Sequence, residues 1–329
     1  MRARSGQRAA ILALGLLLLA FVVWYGLKDA RVLLQAILSG LLIGGVYALS
    51  ALGLSLIFGV MRIINFAHGT FLMLGMYAAF WLLRGFGRDG LSFPGGLDPY
   101  VGLIIIVPAF FLLGLAIQRS LINRVLDAPE HSQLLLTLGI SLIFQNTALA
   151  LFGPTPESVN TAYSSWTWTF RLAGLDLFVS MARLFACAAA LAVCGLLFLL
   201  LHRTDVGKAM RAAAEERDGA ELVGIDVRTV YGVAFGIGIA CVALAGAVVL
   251  PFFRVSPDVG DIFVLIAFVT VVLGGMGNLM GALLGGFLIG IAENLGALLP
   301  QPSLKHLVVF AIFVLVLLFR PTGLLGAKQ

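Results

Sequence analysis

The feature that most constrains this chain is its succession of long apolar runs. They fall at 10–27, 32–59, 63–83, 100–118, 132–152, 180–201, 230–253, 262–274, 279–299 and 304–320, ten segments in all. About 20 apolar residues in helical form cross a hydrocarbon layer about 30 Å thick. Charged residues make up only 11% of the 329, against about 25% in an ordinary soluble domain. That leaves too little polar surface to keep a monomer in water. The pattern predicts an all-α fold: a polytopic transmembrane helix bundle of about 8–10 spans, some broken at glycine-rich points.

The net charge of +5 sits in short loops between the runs, so it reads as orientation by Lys and Arg rather than as a nucleic-acid surface. With an inward N-terminus, the loops around Arg62, Arg119–His131 and His202–Arg228 and the tail after Arg320 face the cytoplasm and hold most of the basic residues. Both termini are then cytoplasmic. Arg2, Arg4 and Arg8 precede the first run, as they would in a signal peptide. The run is long for that, and no small-x-small site follows before Lys28. Residues 1–31 are therefore read as an N-terminal segment carrying an uncleaved first span, and 32–329 as the rest of the transmembrane chain. Cys187, Cys194 and Cys241 lie inside apolar runs without metal-ligand spacing, so no metal or disulfide is expected.

Two loops are long. The outer one, 153–179, carries Trp166, Trp168 and Phe170 in alternation with polar residues, which suits a segment lying at the membrane interface. The inner one, 202–229, has Gly207 and Gly224 bracketing a helix-forming stretch from Lys208 to Val223. Met210, Ala213, Ala214, Ala220, Leu222 and Val223 give it small and apolar contact points. Such a helix either docks into a partner's groove or is a solvated connector.

Polar and glycine-rich points inside the runs are the other candidates. Asn65 and His68, in the string Asn65-Phe-Ala-His-Gly69, sit where polar groups are costly and face a bundle interior or a water path. A structural role for His68, bonded to a neighbouring carbonyl, is the simpler reading. Glu293 is an acidic residue deep in a run: either a functional carboxylate or a hydrogen-bonded packing residue near the outer end of its span. Gly274, Gly275, Gly277 and Asn278 interrupt another run, followed by Gly281/Gly285 and Gly286/Gly290 at the spacing that lets helices approach closely. Gly40/Gly44 match it, and the strings beginning at Gly40 and Gly281 look alike, as the halves of an inverted repeat would. Asn65, His68, Gly69, Gly274, Gly275, Gly277, Asn278 and Glu293 are thus the candidate pathway residues. No P-loop, Ser/His/Asp set or HExxH string occurs, so neither catalysis, cofactor nor ATP binding is expected of this chain.

Five strings, in this order, resemble the LivH-type permease of branched-chain amino acid ABC importers. They are Gly40-Leu-Leu-Ile-Gly-Gly-Val-Tyr-Ala-Leu, Asn65-Phe-Ala-His-Gly, Gly274-Gly-Met-Gly-Asn, Gly285-Gly-Phe-Leu-Ile-Gly-Ile-Ala-Glu and Arg320-Pro-Thr-Gly-Leu-Leu-Gly. The resemblance implies an inner-membrane importer in which the permease works with a second related permease, two cytoplasmic ATPase subunits and a periplasmic binding protein. It implies that the stretch from Gly207 to Gly224, with Arg211, Ala213, Ala214, Glu215 and Ala220, is the helix that docks on the ATPase. Importers of urea, amides or other amino acids share the architecture, and an ion-coupled secondary transporter is the rival from another class.

Overall fold

The computed structural model describes residues 28–84, 97–159, 161, 163–172, 174–299, 301 and 305–326. The first run, 10–27, lies outside the described residues. The other nine runs each coincide with a helix. These are α1 (Ala30–Met61), α2 (His68–Arg84), α3 (Pro99–Ser120), α4 (Glu130–Phe152), α5 (Met181–Arg203), α8 (Val227–Val249), α9 (Val259–Gly274), α10 (Leu279–Gly296) and α11 (Lys305–Phe319). Two short helices, α6 (Asp205–Glu215) and α7 (Arg217–Leu222), form an arm between α5 and α8. Among the described residues, six helices are long and apolar enough to cross a membrane: α1, α3 with the turn after it, α4, α5, α8 and α10. The chain is a multi-pass helical membrane protein. The 17 residues of α2, 16 of α9 and 15 of α11 are shorter; α2 follows the non-helical stretch 62–67, and α9 ends at the Gly274–Gly275 turn.

The two ends of the bundle are distinguished by what α5 joins: a β-hairpin before it and the arm after it. Helices α1 and α8 occupy the middle and are buried over most of their length. Both are apolar on all faces, which is the pattern of a helix surrounded by protein rather than lying at an edge. The most extensive helix contact is α1 against α10. It is built by the glycines flagged from spacing. A Cβ on Gly44 would lie 2.8 Å from the Phe287 Cα, and one on Gly40 would lie 2.6 Å from the Ile291 Cα. Without a strong hydrophobic force between helices in lipid, such close backbone approach is what dispersion needs to hold them together.

The loop 153–179 contains structure beyond an interface segment. Its alternation is a strand period: β1 (Thr167–Leu172) pairs antiparallel with β2 (Leu175–Ser180), Trp168 opposite Val179 and Phe170 opposite Leu177. Leu177 and Val179 are buried while Trp166 and Trp168 stay exposed. The Gln35 side chain of α1 ties the hairpin down. Its amide donates to the Phe178 carbonyl at 2.8 Å and its oxygen accepts from the Phe178 N–H at 2.9 Å, replacing a missing strand neighbour.

Candidate functional site

The arm begins where Thr204 caps α6, its hydroxyl accepting from the Gly207 N–H at 3.1 Å. Asp205 in the first turn complements the helix dipole, and Lys208 beside it holds its carboxyl below the usual range. The single helix expected over Lys208–Val223 is in fact two. Glu216 adopts an extended conformation, φ −146° and ψ 111°, so the chain turns before α7. Gly224, at φ +85°, ends the arm in a conformation that L side chains rarely adopt. Gly207 lies inside α6 rather than before it, pressed against the carbonyls of Leu200 and Leu201.

Three of the arm's six contact points face inward. Met210, Ala213 and Ala220 are buried in the chain's own core, so a partner cannot reach Ala213 or Ala220 as they stand. Helical spacing gives Gly207, Met210 and Ala213 one face, and that face is filled by the bundle itself. Ala214 is half-buried, its carbonyl near Arg62; Arg211 and Glu215 are exposed. The most exposed apolar groups left for a partner are Leu222 and Val223, 88% and 75% exposed at the end of α7, with Val206 of α6 exposed as well. Arg217 pins the arm to the α3–α4 loop, donating to Asp127 at 2.7 Å and standing 3.5 Å from Glu221. The bond to Asp127 raises its guanidinium above the ordinary value. A cavity of about 910 Å³ separates the arm from the glycine-rich turn, lined by His202, Met210, Arg211, Gly277 and Pro321 among others.

The candidate pathway residues do not share one lining; they fall at three places. At the first, the backbone leaves α1 through Arg62, at φ 56°, and re-enters helix at His68. The Asn65 side-chain oxygen accepts from the Ala67 N–H at 3.1 Å, and His68 is fully buried with its Nε2 donating to the Ser50 carbonyl at 2.8 Å. Gly69 packs against Gly260 of α9, each leaving no room for a Cβ on the other. These groups serve a helix junction and face no open space.

The second place is the turn from Gly274 to Asn278. Gly274 meets Gly281 backbone to backbone, Gly275 and Gly277 have φ of +106° and +81°, and Gly277 rests on Gly59. Asn278 caps α10 by accepting from the Gly281 N–H at 2.9 Å and donates to the Leu325 carbonyl at 2.7 Å. Backbone bonds from Leu324 to Leu273 and from Leu325 to Gly274 complete a clasp between this turn and the C-terminal segment. Two strings far apart in sequence are thus one structural unit.

The third is Glu293, near the hairpin end of α10. It is buried, accepts from the Tyr47 hydroxyl at 2.6 Å and pairs with Lys305 at 2.8 Å. These two contacts join α1, α10 and α11 through one carboxylate.

Sequence reasoning passed over a ladder on α4. Thr137, Ser141 and Gln145 recur every fourth residue in an apolar run, which is one helix face. Thr137 accepts from the Phe66 N–H at 3.3 Å, Ser141 hydrogen-bonds Thr70, and Gln145 donates to Asp261 of α9 at 3.2 Å. The spacing was visible; that it faced α2 and α9 was not.

Among the described residues, nine apolar helices with two of them buried at the centre, and a loop arm docked on the bundle, define a polytopic helical membrane protein. A family model described as "Branched-chain amino acid transport system / permease component" matches residues 36–317. The chain belongs to that family. It is 33% identical over 301 residues to the high-affinity branched-chain amino acid transport system permease protein BraD of Pseudomonas aeruginosa, covering 90% of this chain and 96% of that one. It is 31% identical, with the same coverage, to the protein of that description named LivH in Escherichia coli K12. A probable LivH from Methanocaldococcus jannaschii is 32% identical over 270 residues, covering 79% of this chain and 80% of that protein. No solved structure matches the chain.

Proposed function

We propose that this chain is the permease subunit of an ATP-binding cassette importer that carries branched-chain or related amino acids across the inner membrane. The observation that carries the reading is the arm. It is a short amphipathic pair of helices whose inner side is part of the bundle core, whose outer tip offers Leu222 and Val223, and which is pinned by Arg217 to the loop before α4. Force applied to such an arm passes into α5, α8 and α4 as rigid bodies, the coupling that an external motor needs. The names of the relatives above support the substrate class.

In this reading the arm and both termini are cytoplasmic. Two separate ATPase subunits hydrolyse ATP, a second related permease completes the path, and a periplasmic binding protein delivers substrate; the lipid bilayer is the remaining partner. A path fed by a binding protein needs little affinity of its own, and alternating access follows from rocking the bundle around it. The test is reconstitution of this chain with its ATPases, second permease and binding protein in liposomes. ATP-driven leucine uptake that disappears when the ATPases are omitted is expected. Uptake by this chain alone, driven by an ion gradient, would overturn the reading.

A further inference from the structure

Asp261 lies in the first turn of α9 and is exposed, and among the described residues it forms no ion pair. Among those residues its carboxylate has one hydrogen-bond partner, the neutral Gln145 amide, 3.2 Å away on α4. Gln145 stands seven residues before the end of α4, about 10 Å of helix below the hairpin end. An exposed carboxylate opposed only by an amide at that depth is expensive against lipid and marks a face turned to water or to a polar ligand. The polar stretch continues with Asn146, exposed beside Gln145. Helix α4 is the most weakly held of the long spans. Its main helix neighbour is α2, and the Gln145–Asp261 bond is the side-chain hydrogen bond that reaches from it to α9.

We propose that Asp261 and Gln145 form a contact site for the charged head group of an amino-acid substrate at the outer part of the path. The chemistry is an exchange. The Gln145 amide keeps the carboxylate satisfied while the site is empty. An arriving α-ammonium group takes its place on Asp261 with a charge-assisted bond, and the released amide donates to the substrate's own carboxylate. An apolar side chain then has Leu265, exposed one turn further along α9. A neutral solute such as urea gains nothing comparable from Asp261, so the pair also discriminates between solute classes. The inference rests on the importer reading above and deepens it.

The test uses the assembled importer in liposomes with leucine as the probe. Asp261→Asn and Gln145→Leu are each expected to lower leucine uptake per ATP hydrolysed at least ten-fold, whereas Asp261→Glu retains most of it. Separately, with Cys187, Cys194 and Cys241 changed to alanine, Gln145→Cys and Asn146→Cys should react with a charged, water-soluble thiol reagent. Ile104→Cys, at the exposed face of α3, should not. Unchanged uptake in Asp261→Asn overturns the proposal. So does a lack of reaction at 145 and 146, the result expected if the second permease or lipid simply covers this face. Absence of leucine import by the unaltered assembly would instead overturn the importer reading, because the accessibility of 145 and 146 is read without it.

Discussion

At the scale of single residues, Glu293 and Lys305 form an unequal pair. The Lys305 side chain is 37% exposed and the Glu293 side chain 10%, so the lysine can reach water and the carboxylate cannot. Lys305→Met leaves a buried carboxylate with only the Tyr47 hydroxyl and should cost about 2–3 kcal/mol, while Glu293→Gln should cost about 1 kcal/mol. The double variant should melt close to Glu293→Gln, and thermal unfolding in one detergent orders the three. Asn278 does two jobs with one side chain, so Asn278→Ala should lose the α10 cap and the hold on Leu325, about 1–2 kcal/mol in the same assay. The sequence made both residues visible as polar groups in apolar runs. It could not say that their partners were Tyr47, Lys305 and Leu325, because each arrives from another part of the chain.

At the scale of elements, the α1–α10 contact depends on the absence of side chains. Gly44→Ala puts a carbon 2.8 Å from the Phe287 Cα, and parting the helices should cost about 1–3 kcal/mol. A methyl group added at Gly139 on α4 would meet nothing within 4 Å, so Gly139→Ala should be neutral or slightly stabilising, by up to about 1 kcal/mol. Thermal melting of the two variants separates close contact from mere helix propensity. The arm gives a sharper contrast. Leu222→Asp alters an exposed tip and should leave stability unchanged while reducing ATP-driven uptake at least ten-fold. Ala213→Glu buries a charge against the bundle and should lower the melting temperature outright. Normal coupled transport in Leu222→Asp would remove α7 from the docking surface. Here the helical period was legible, but not the break at Glu216 or the direction in which the apolar side faces.

At the scale of the whole molecule, α5 sets the polarity: its 23 residues join a hairpin at one end of the bundle to the arm at the other. The arm, the cavity beside it and the Gly274–Gly326 clasp share one end; the Glu293–Lys305 pair and the Gln145–Asp261 bridge lie toward the other. With the arm cytoplasmic, cysteines at exposed 203 and 223 in sealed, right-side-out vesicles should resist an impermeant thiol reagent and react only after permeabilisation. Reaction in intact vesicles would reverse the proposed orientation and detach the arm from any cytoplasmic motor.

The order of apolar runs determined that this chain is a helical membrane protein, and where nine of its helices lie, because hydrocarbon thickness and backbone hydrogen bonding leave an apolar segment of that length little choice. Small-residue spacing determined which faces would be in close contact. Tertiary structure alone decided that Gly40 and Gly44 meet α10, that a glycine turn clasps the C-terminal segment, that the arm turns its apolar side inward, and that a glutamine on α4 reaches an aspartate on α9. Those outcomes depend on which surfaces meet between segments far apart in the chain, and no local period encodes the partner.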